Sequence, residues 1–130
     1  MALLTREEAS QSTRKLRMEK VDVTEWGNVD PETGVMEPKW LYVKELSAAE
    51  REVIDQSIII HKRNKQIIDM KGYRVRIVIA VCCDENGTPV FRPGDENWLG
   101  QLSTVPFDRI VTVYKKMNYI NEDEEELLKN

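Results

Sequence analysis

Few side chains of this sequence could carry out covalent or acid–base chemistry. The one histidine is His61, and the two cysteines, Cys82 and Cys83, are adjacent. Nucleophilic catalysis needs a base held against the nucleophile, whereas His61 stands beside lysines at the predicted end of a helix. The neighbouring acids Asp84 and Glu85 lie in a predicted turn, without an apolar pocket that would separate their pKa values. We therefore predict that the protein is not an enzyme.

The sequence also predicts no metal and no cofactor. Adjacent cysteines lack the spacing of a zinc site and offer no disulfide framework. The six glycines are scattered, so none of them builds a phosphate-binding loop. We expect both cysteines to be buried as small apolar side chains.

Two tryptophans are the first candidates for binding a partner. Trp26 is predicted at the end of one strand and Trp40 at the start of the facing strand, so both rings could flank the mouth of a hairpin. Tryptophan anchors interfaces because it buries a large area while its N–H seeks a partner. A structural role, in which both rings close the core, explains the pattern equally well. We expect the rings to contact one another or a shared partner surface.

The acidic end of the chain is the second candidate. The net charge is −4, and Glu122 to Asn130 hold five acids against one lysine, so the rest of the chain is neutral. A block of like charges is usually a solvated end. The alternative is an interaction tail, in which Leu127 and Leu128 provide an apolar contact.

Alternating apolar residues predict an antiparallel β-hairpin. Its strands are residues 20–24 and Trp40–Lys44, and the connecting loop, residues 27–39, is rich in turn formers and is expected to be mobile. Ser47 and Glu50 form a capping box, so a helix should begin there and last to about His61. The chain is predicted to be one domain, residues 1–130, in which residues 1–19 could form a mobile arm and residues 122–130 an acidic tail.

The state of residues 73–83 is ambiguous. Their β-branched residues favour a strand, but Val75, Val78, Ile79 and Cys82 also share one helical face. Further along, Asp95 can cap a short helix. A longer helix is predicted from Phe107 to Met117, with Pro106 in its first turn.

Membrane and nucleic-acid roles find little support. No apolar run approaches the ~18 residues of a membrane span, and the first residues lack the pattern of a signal peptide. The chain is expected to stay in the cytoplasm. The basic residues 61–65 have no interleaved aromatic side chains, so we interpret them as a solvated helix end and predict no nucleic acid as partner.

Several short motifs, taken in order, resemble the tail assembly chaperones of phages with long non-contractile tails. The motifs are the opening Met-Ala-Leu-Leu-Thr-Arg-Glu-Glu, Glu25-Trp26-Gly27, the capping region from Val43 to Arg51, the acidic turn from Asp84 to Phe91, and Phe107-Asp108-Arg109-Ile110 with Met117-Asn118. This resemblance implies an α+β fold, with an N-terminal antiparallel β-hairpin packed on a small bundle of helices. It also favours a helix at residues 73–83.

The resemblance implies a partner as well. The tape measure protein has apolar helical stretches that the chaperone would shield, without ATP, until the tail tube polymerises around them. Contact with the tail tube protein and a weak homo-oligomer are further expectations. The chaperone would act in the host cytoplasm and be absent from the finished virion.

Two other classes of function fit the residues. A small inhibitor or toxin-neutralising protein would bind one folded enzyme, whereas a chaperone should bind apolar helical segments. A nucleic-acid accessory protein would lose its binding as salt is added.

The resemblance also implies a testable property of the gene. Many such chaperones are made in two lengths, the longer one by a −1 ribosomal slip near the end of the shorter frame. Leu128-Lys129-Asn130 permits the slippery run A-AAA-AA, because leucine has codons ending in A, lysine has AAA and asparagine has AAC or AAT. DNA sequencing should therefore find this run. An AAG lysine codon, with no upstream slip site and no open −1 frame, would contradict the prediction.

Overall fold

A three-stranded antiparallel sheet joins two strands near the N-terminus to a short strand from the second half of the chain. The computed structural model describes residues 1–12 and 15–118. Strand β1 (Met18–Asp22) pairs with β2 (Trp40–Lys44), which pairs in turn with the short β5 (Cys82–Cys83). Met18 lies opposite Lys44, and Asp22 lies opposite Trp40. The predicted hairpin is confirmed, and its first strand begins at Met18 instead of residue 20.

The first strand ends earlier than residue 24. The Asp22 carboxylate accepts hydrogen bonds from the Thr24 amide at 2.8 Å and from the Thr24 hydroxyl. Such a local turn competes with strand pairing. Thr24–Trp26 consequently forms a turn of 3-10 helix.

The loop of residues 27–39 has some local order of its own. Val29 forms an isolated bridge with Met36, and the Gly34 amide donates to the Asp30 carbonyl at 2.8 Å. Gly34 has φ +71°, a value that favours glycine. The mobility of this loop stays a prediction.

Helix α2 (Ala48–Gln56) begins where the capping box predicts, but it ends before the predicted position. Both hydrogen bonds of the Ser47–Glu50 capping box are present. The predicted end at His61 is wrong, because residues 59–68 form a second hairpin of β3 (Ile59–Lys62) and β4 (Lys65–Ile68). Three consecutive isoleucines, 58–60, favour the extended state there. The basic residues 61–65 are therefore the exposed tip of a hairpin, and their interpretation as a helix end is also wrong.

Residues 73–83, for which the sequence is compatible with helix or strand, form a helix followed by a short strand. Helix α3 (Tyr73–Val81) is followed directly by β5. Ile77, Val78 and Val81 are fully buried. Packing of this apolar face against the core therefore favours the helix over the strand in the first nine residues. The two cysteines are extended because they pair with Tyr42 and Val43 of β2. The predicted turn follows them, with Gly87 at φ +81°.

Helix α5 (Thr104–Met117) lies at the centre of the fold, next to β1, β2 and α3. It begins at the Ser103 hydroxyl, which accepts from the Val105 amide at 3.2 Å, and it ends at Asn118. The shorter α4 (Glu96–Leu99) is not capped by the side chain of Asp95. That carboxylate accepts from the Arg92 amide at 2.8 Å instead.

The chain is an α+β protein with its hairpin packed on helices, as predicted. One apolar cluster joins the sheet to the helices, and it includes Val43, Ile58, Ile77, Leu99, Ile110 and Tyr114. Near the N-terminus, α1 (Arg6–Ser10) is capped by the Thr5 hydroxyl and buries none of its residues. Within residues 1–12 and 15–118, no helix has the length and apolar character needed to cross a membrane.

Candidate functional site

An apolar groove lies between α2, α3 and the segment of residues 89–93. Its volume is about 360 Å³. The two helices contribute Val53, Ile79 and Ala80, and the segment contributes two prolines and Phe91. Val53 is 71% exposed although it is apolar and helical. A surface of this kind, with charged residues at its edge, is typical of a site for an apolar partner.

Arg76 adds a cation to the lining of the groove. Its Nε donates to the Ser57 hydroxyl at 3.0 Å, and its Nη1 donates to the Lys71 carbonyl at 2.9 Å. Its Nη2 is buried and has no acceptor among the described residues. The two hydrogen bonds hold the Arg76 side chain in place along the groove.

An ion pair between Lys44 and Glu50 also lines the groove. The Lys44 Nζ lies 2.7 Å from a carboxylate oxygen of Glu50, whose second oxygen accepts from the Ser47 amide at 3.1 Å. Partial burial opposes the ionisation of Glu50, but the hydrogen bonds from Lys44 and Ser47 outweigh burial and lower the pKa. This part of the lining is therefore charged.

Trp26 is partly buried and packs against the core. Its ring contacts Phe107 edge-on with centroids 4.9 Å apart, and Phe91 with centroids 6.0 Å apart. Its indole N–H donates to the Ser103 carbonyl at 2.9 Å. Phe91 also contacts the half-exposed Trp98, so a row of rings connects Trp26 to the groove.

An ion pair fixes the backbone beside Trp26. Both guanidinium Nη atoms of Arg109 lie 2.7 Å from the two carboxylate oxygens of Glu25, and Nη1 also donates to the Asp22 carbonyl at 3.1 Å. The hydrogen bonds from Arg109 lower the pKa of Glu25. A bidentate ion pair of this kind fixes the relative orientation of the two side chains and also attracts them to each other. The Glu25-Trp26 motif therefore fastens the hairpin to α5.

Trp40 lies apart from this cluster. It is 56% exposed, and the Lys20 ammonium sits 4.2 Å from the centre of its ring. Among the described residues no ring contact joins Trp40 to Trp26. That both bind one partner surface stays a prediction, and the structure gives them different surroundings.

The remaining candidates do not lie in the groove. His61 is exposed in β3. Cys82 and Cys83 are buried and unpaired, as expected, and burial raises the pKa of both thiols. In the part of the chain that the structure describes, no cluster of metal-ligating side chains occurs. Leu127 and Leu128 lie outside the described residues.

The residues of the groove were missed by the sequence analysis. Neither Val53 nor Arg76 is among the candidate residues that the sequence indicates. Ile54 is the residue that α2 buries, and Val53 beside it is exposed. Arg76 is, with Arg74, one of two cations in the otherwise apolar run of residues 73–83, and that charge is the signal that the sequence offers.

Comparison with known proteins gives one informative likeness. No protein-family model matches the chain, and no curated protein sequence matches it either. The solved structure of the bacteriophage HK97 tail assembly chaperone is similar, with a TM-score of 0.52 and 19% sequence identity, over 89% of this chain and 95% of that chain. The resemblance that the sequence motifs indicate is thus matched by a shared fold.

Proposed function

We propose that this protein is a phage tail assembly chaperone, which binds the tape measure protein and shields its apolar helical segments. The observation that carries the proposal is the fold, which is similar to the HK97 tail assembly chaperone over nearly the full length of both chains. The motifs of the sequence support the same function independently.

The apolar groove is the proposed contact site. An amphipathic helix binds a groove by inserting apolar side chains spaced at i, i+3, i+4 and i+7. Val53, Ile79 and Phe91 provide apolar contacts for such side chains. Shielding of this kind needs no nucleotide, because binding alone keeps the segments apart.

The proposal also covers location and further partners. The chaperone acts in the host cytoplasm, where the tail is assembled, and it leaves before the virion is complete. Contact with the tail tube protein would follow from the same role, since the tube polymerises around the shielded tape measure protein.

Binding to peptides tests this function. Overlapping peptides that cover the apolar helical segments of the tape measure protein from the neighbouring gene are titrated with the full chain by calorimetry. We expect saturable binding to some of these peptides and none to peptides of the same composition in scrambled order. Failure to bind any peptide, together with tight binding to a single folded enzyme from the same genome, would instead support an inhibitor.

A chaperone without catalytic groups should tolerate loss of the reactive side chains. We expect the triple variant His61→Gln, Cys82→Ala, Cys83→Ala to bind the peptides as the wild type does. The two buried sulfurs leave small cavities, so the free energy of unfolding should fall by about 1 kcal/mol for each. Loss of function in a folded His61→Gln variant would show that the non-enzyme interpretation is wrong.

A further inference from the structure

The β3–β4 hairpin has one side on the core and one side away from it. Ile59 lies opposite Ile68, and both are partly buried against the core. Neighbouring residues of a strand point to opposite sides, so the residues that alternate with this pair share the outer side. These outer residues are Ile60, Lys62, Lys65 and Ile67. We call these four residues the hairpin face.

The hairpin face is an apolar patch followed by uncompensated positive charge. Ile60 is 40% exposed, and Ile67, which lies opposite it, is 43% exposed. Lys62 lies opposite Lys65, and within residues 1–12 and 15–118 no carboxylate pairs with either lysine. Like charges directly opposite each other destabilise a strand pair. A partner with acidic and apolar side chains would complement this face.

The base of the hairpin is tied to the apolar groove. Ser57 and Arg76 both line the groove. Arg76 donates to the Ser57 hydroxyl, just before β3, and to the Lys71 carbonyl, just after β4. The Asp69 amide closes the base by donating to the Ile58 carbonyl at 2.6 Å. One side chain thus holds both ends of the hairpin at the groove.

We propose that the hairpin face binds the acidic flank of the apolar helical segment that occupies the groove. The inference rests on the proposed chaperone function and adds a rule of selection to it. The groove reads the apolar stripe of a client segment, and Lys62 and Lys65 read the charge of the residues beside that stripe. Among segments of equal apolar character, the chaperone therefore favours those with an acidic flank.

The distance along the hairpin sets where the acids should lie. Ile59 to Lys62 spans three strand steps, or about 10 Å. A helix covers that length in about seven residues, which is two turns. Acids within about two turns of the end of the apolar stripe can therefore reach the lysines. Ile60 and Ile67 lie between the base and the lysines and continue the apolar contact.

A pair of variants separates the hairpin face from general charge. The face variant, Lys62→Gln with Lys65→Gln, removes both cations and also the repulsion between the strands, so the hairpin should remain folded. The control, Lys39→Gln with Lys116→Gln, removes the same charge at exposed positions outside the groove and the hairpin.

Calorimetric titration of the full chain with flanked peptides is the measurement. The tape measure peptide with the highest affinity is extended at either end by a run of glutamates, or by a run of glutamines of the same length. At low salt, we expect one glutamate form to bind the wild type and the control roughly fivefold more tightly than its glutamine form. The face variant should bind both forms equally, and added salt should remove the preference of the wild type.

The outcomes distinguish this inference from the function on which it rests. Equal affinity of the wild type for the glutamate and glutamine forms overturns the hairpin face alone, because the groove still binds. A preference that persists in the face variant, or that is lost to the same extent in the control, overturns it as well. Absence of binding by every form overturns the proposed function and this inference together.

Discussion

Replacing Trp26 with alanine is expected to lower the free energy of unfolding by about 3 kcal/mol. The ring packs on Phe91 and Phe107, and its N–H donates to the Ser103 carbonyl. Its loss opens a cavity between the hairpin and α5 and leaves that carbonyl without its donor. Urea unfolding, followed by circular dichroism, measures the change.

Two further variants separate packing from binding. Trp26→Phe keeps an aromatic ring but loses the hydrogen bond, so its cost should be smaller, about 1 kcal/mol. Trp40→Ala should change stability by less than about 0.5 kcal/mol, because the ring is largely exposed. Equal destabilisation by Trp26→Ala and Trp40→Ala would contradict the assignment of Trp26 to the core and Trp40 to the surface.

Replacing Val53 with glutamate is expected to weaken binding of apolar helical peptides by tenfold or more. A charge at the centre of an apolar contact must be desolvated, and a loss of about 1.4 kcal/mol already corresponds to tenfold. Val53 is exposed in the free protein, so the same change should leave the unfolding midpoint nearly unaltered. Calorimetric titration of the peptides measures the affinity.

Val35→Glu is the matched control for this prediction. Val35 is also an exposed valine, but it lies in the loop of residues 27–39 and not in the groove. It should bind the peptides as tightly as the wild type. If both variants bind like the wild type, the groove is not the contact site, and if both lose affinity, the effect of charge is not specific to the groove.

Sequence motifs predicted those parts of the fold that depend on interactions between neighbouring residues, such as the start of α2. The start of α2 follows from Ser47 and Glu50 alone, since each satisfies a backbone amide of the other. The early end of that helix was missed because the apolar spacing of Ile54 and Ile58 is compatible with further helix. Pairing of residues 59–62 with residues 65–68 decides the outcome, and this pairing was not considered.

Contacts between residues far apart in the sequence determine the features that the sequence could not predict. Residues 73–83 change from helix to strand at Cys82 because β2, about 40 residues earlier, supplies a pairing edge. The two tryptophans looked equivalent in sequence, but only Trp26 meets the rings of Phe91 and Phe107. The groove combines residues from three separate segments, so no single motif could indicate it.

Co-expression with the tape measure protein of the same genome tests the central claim most directly. The soluble fraction of the tape measure protein is measured without a partner, with the wild-type chain, with Val53→Glu and with Val35→Glu. The proposed function predicts an insoluble tape measure protein alone, a soluble complex with the wild type and with Val35→Glu, and little soluble complex with Val53→Glu. A tape measure protein whose solubility is unchanged by the wild-type chain, with no complex recovered, would contradict the account.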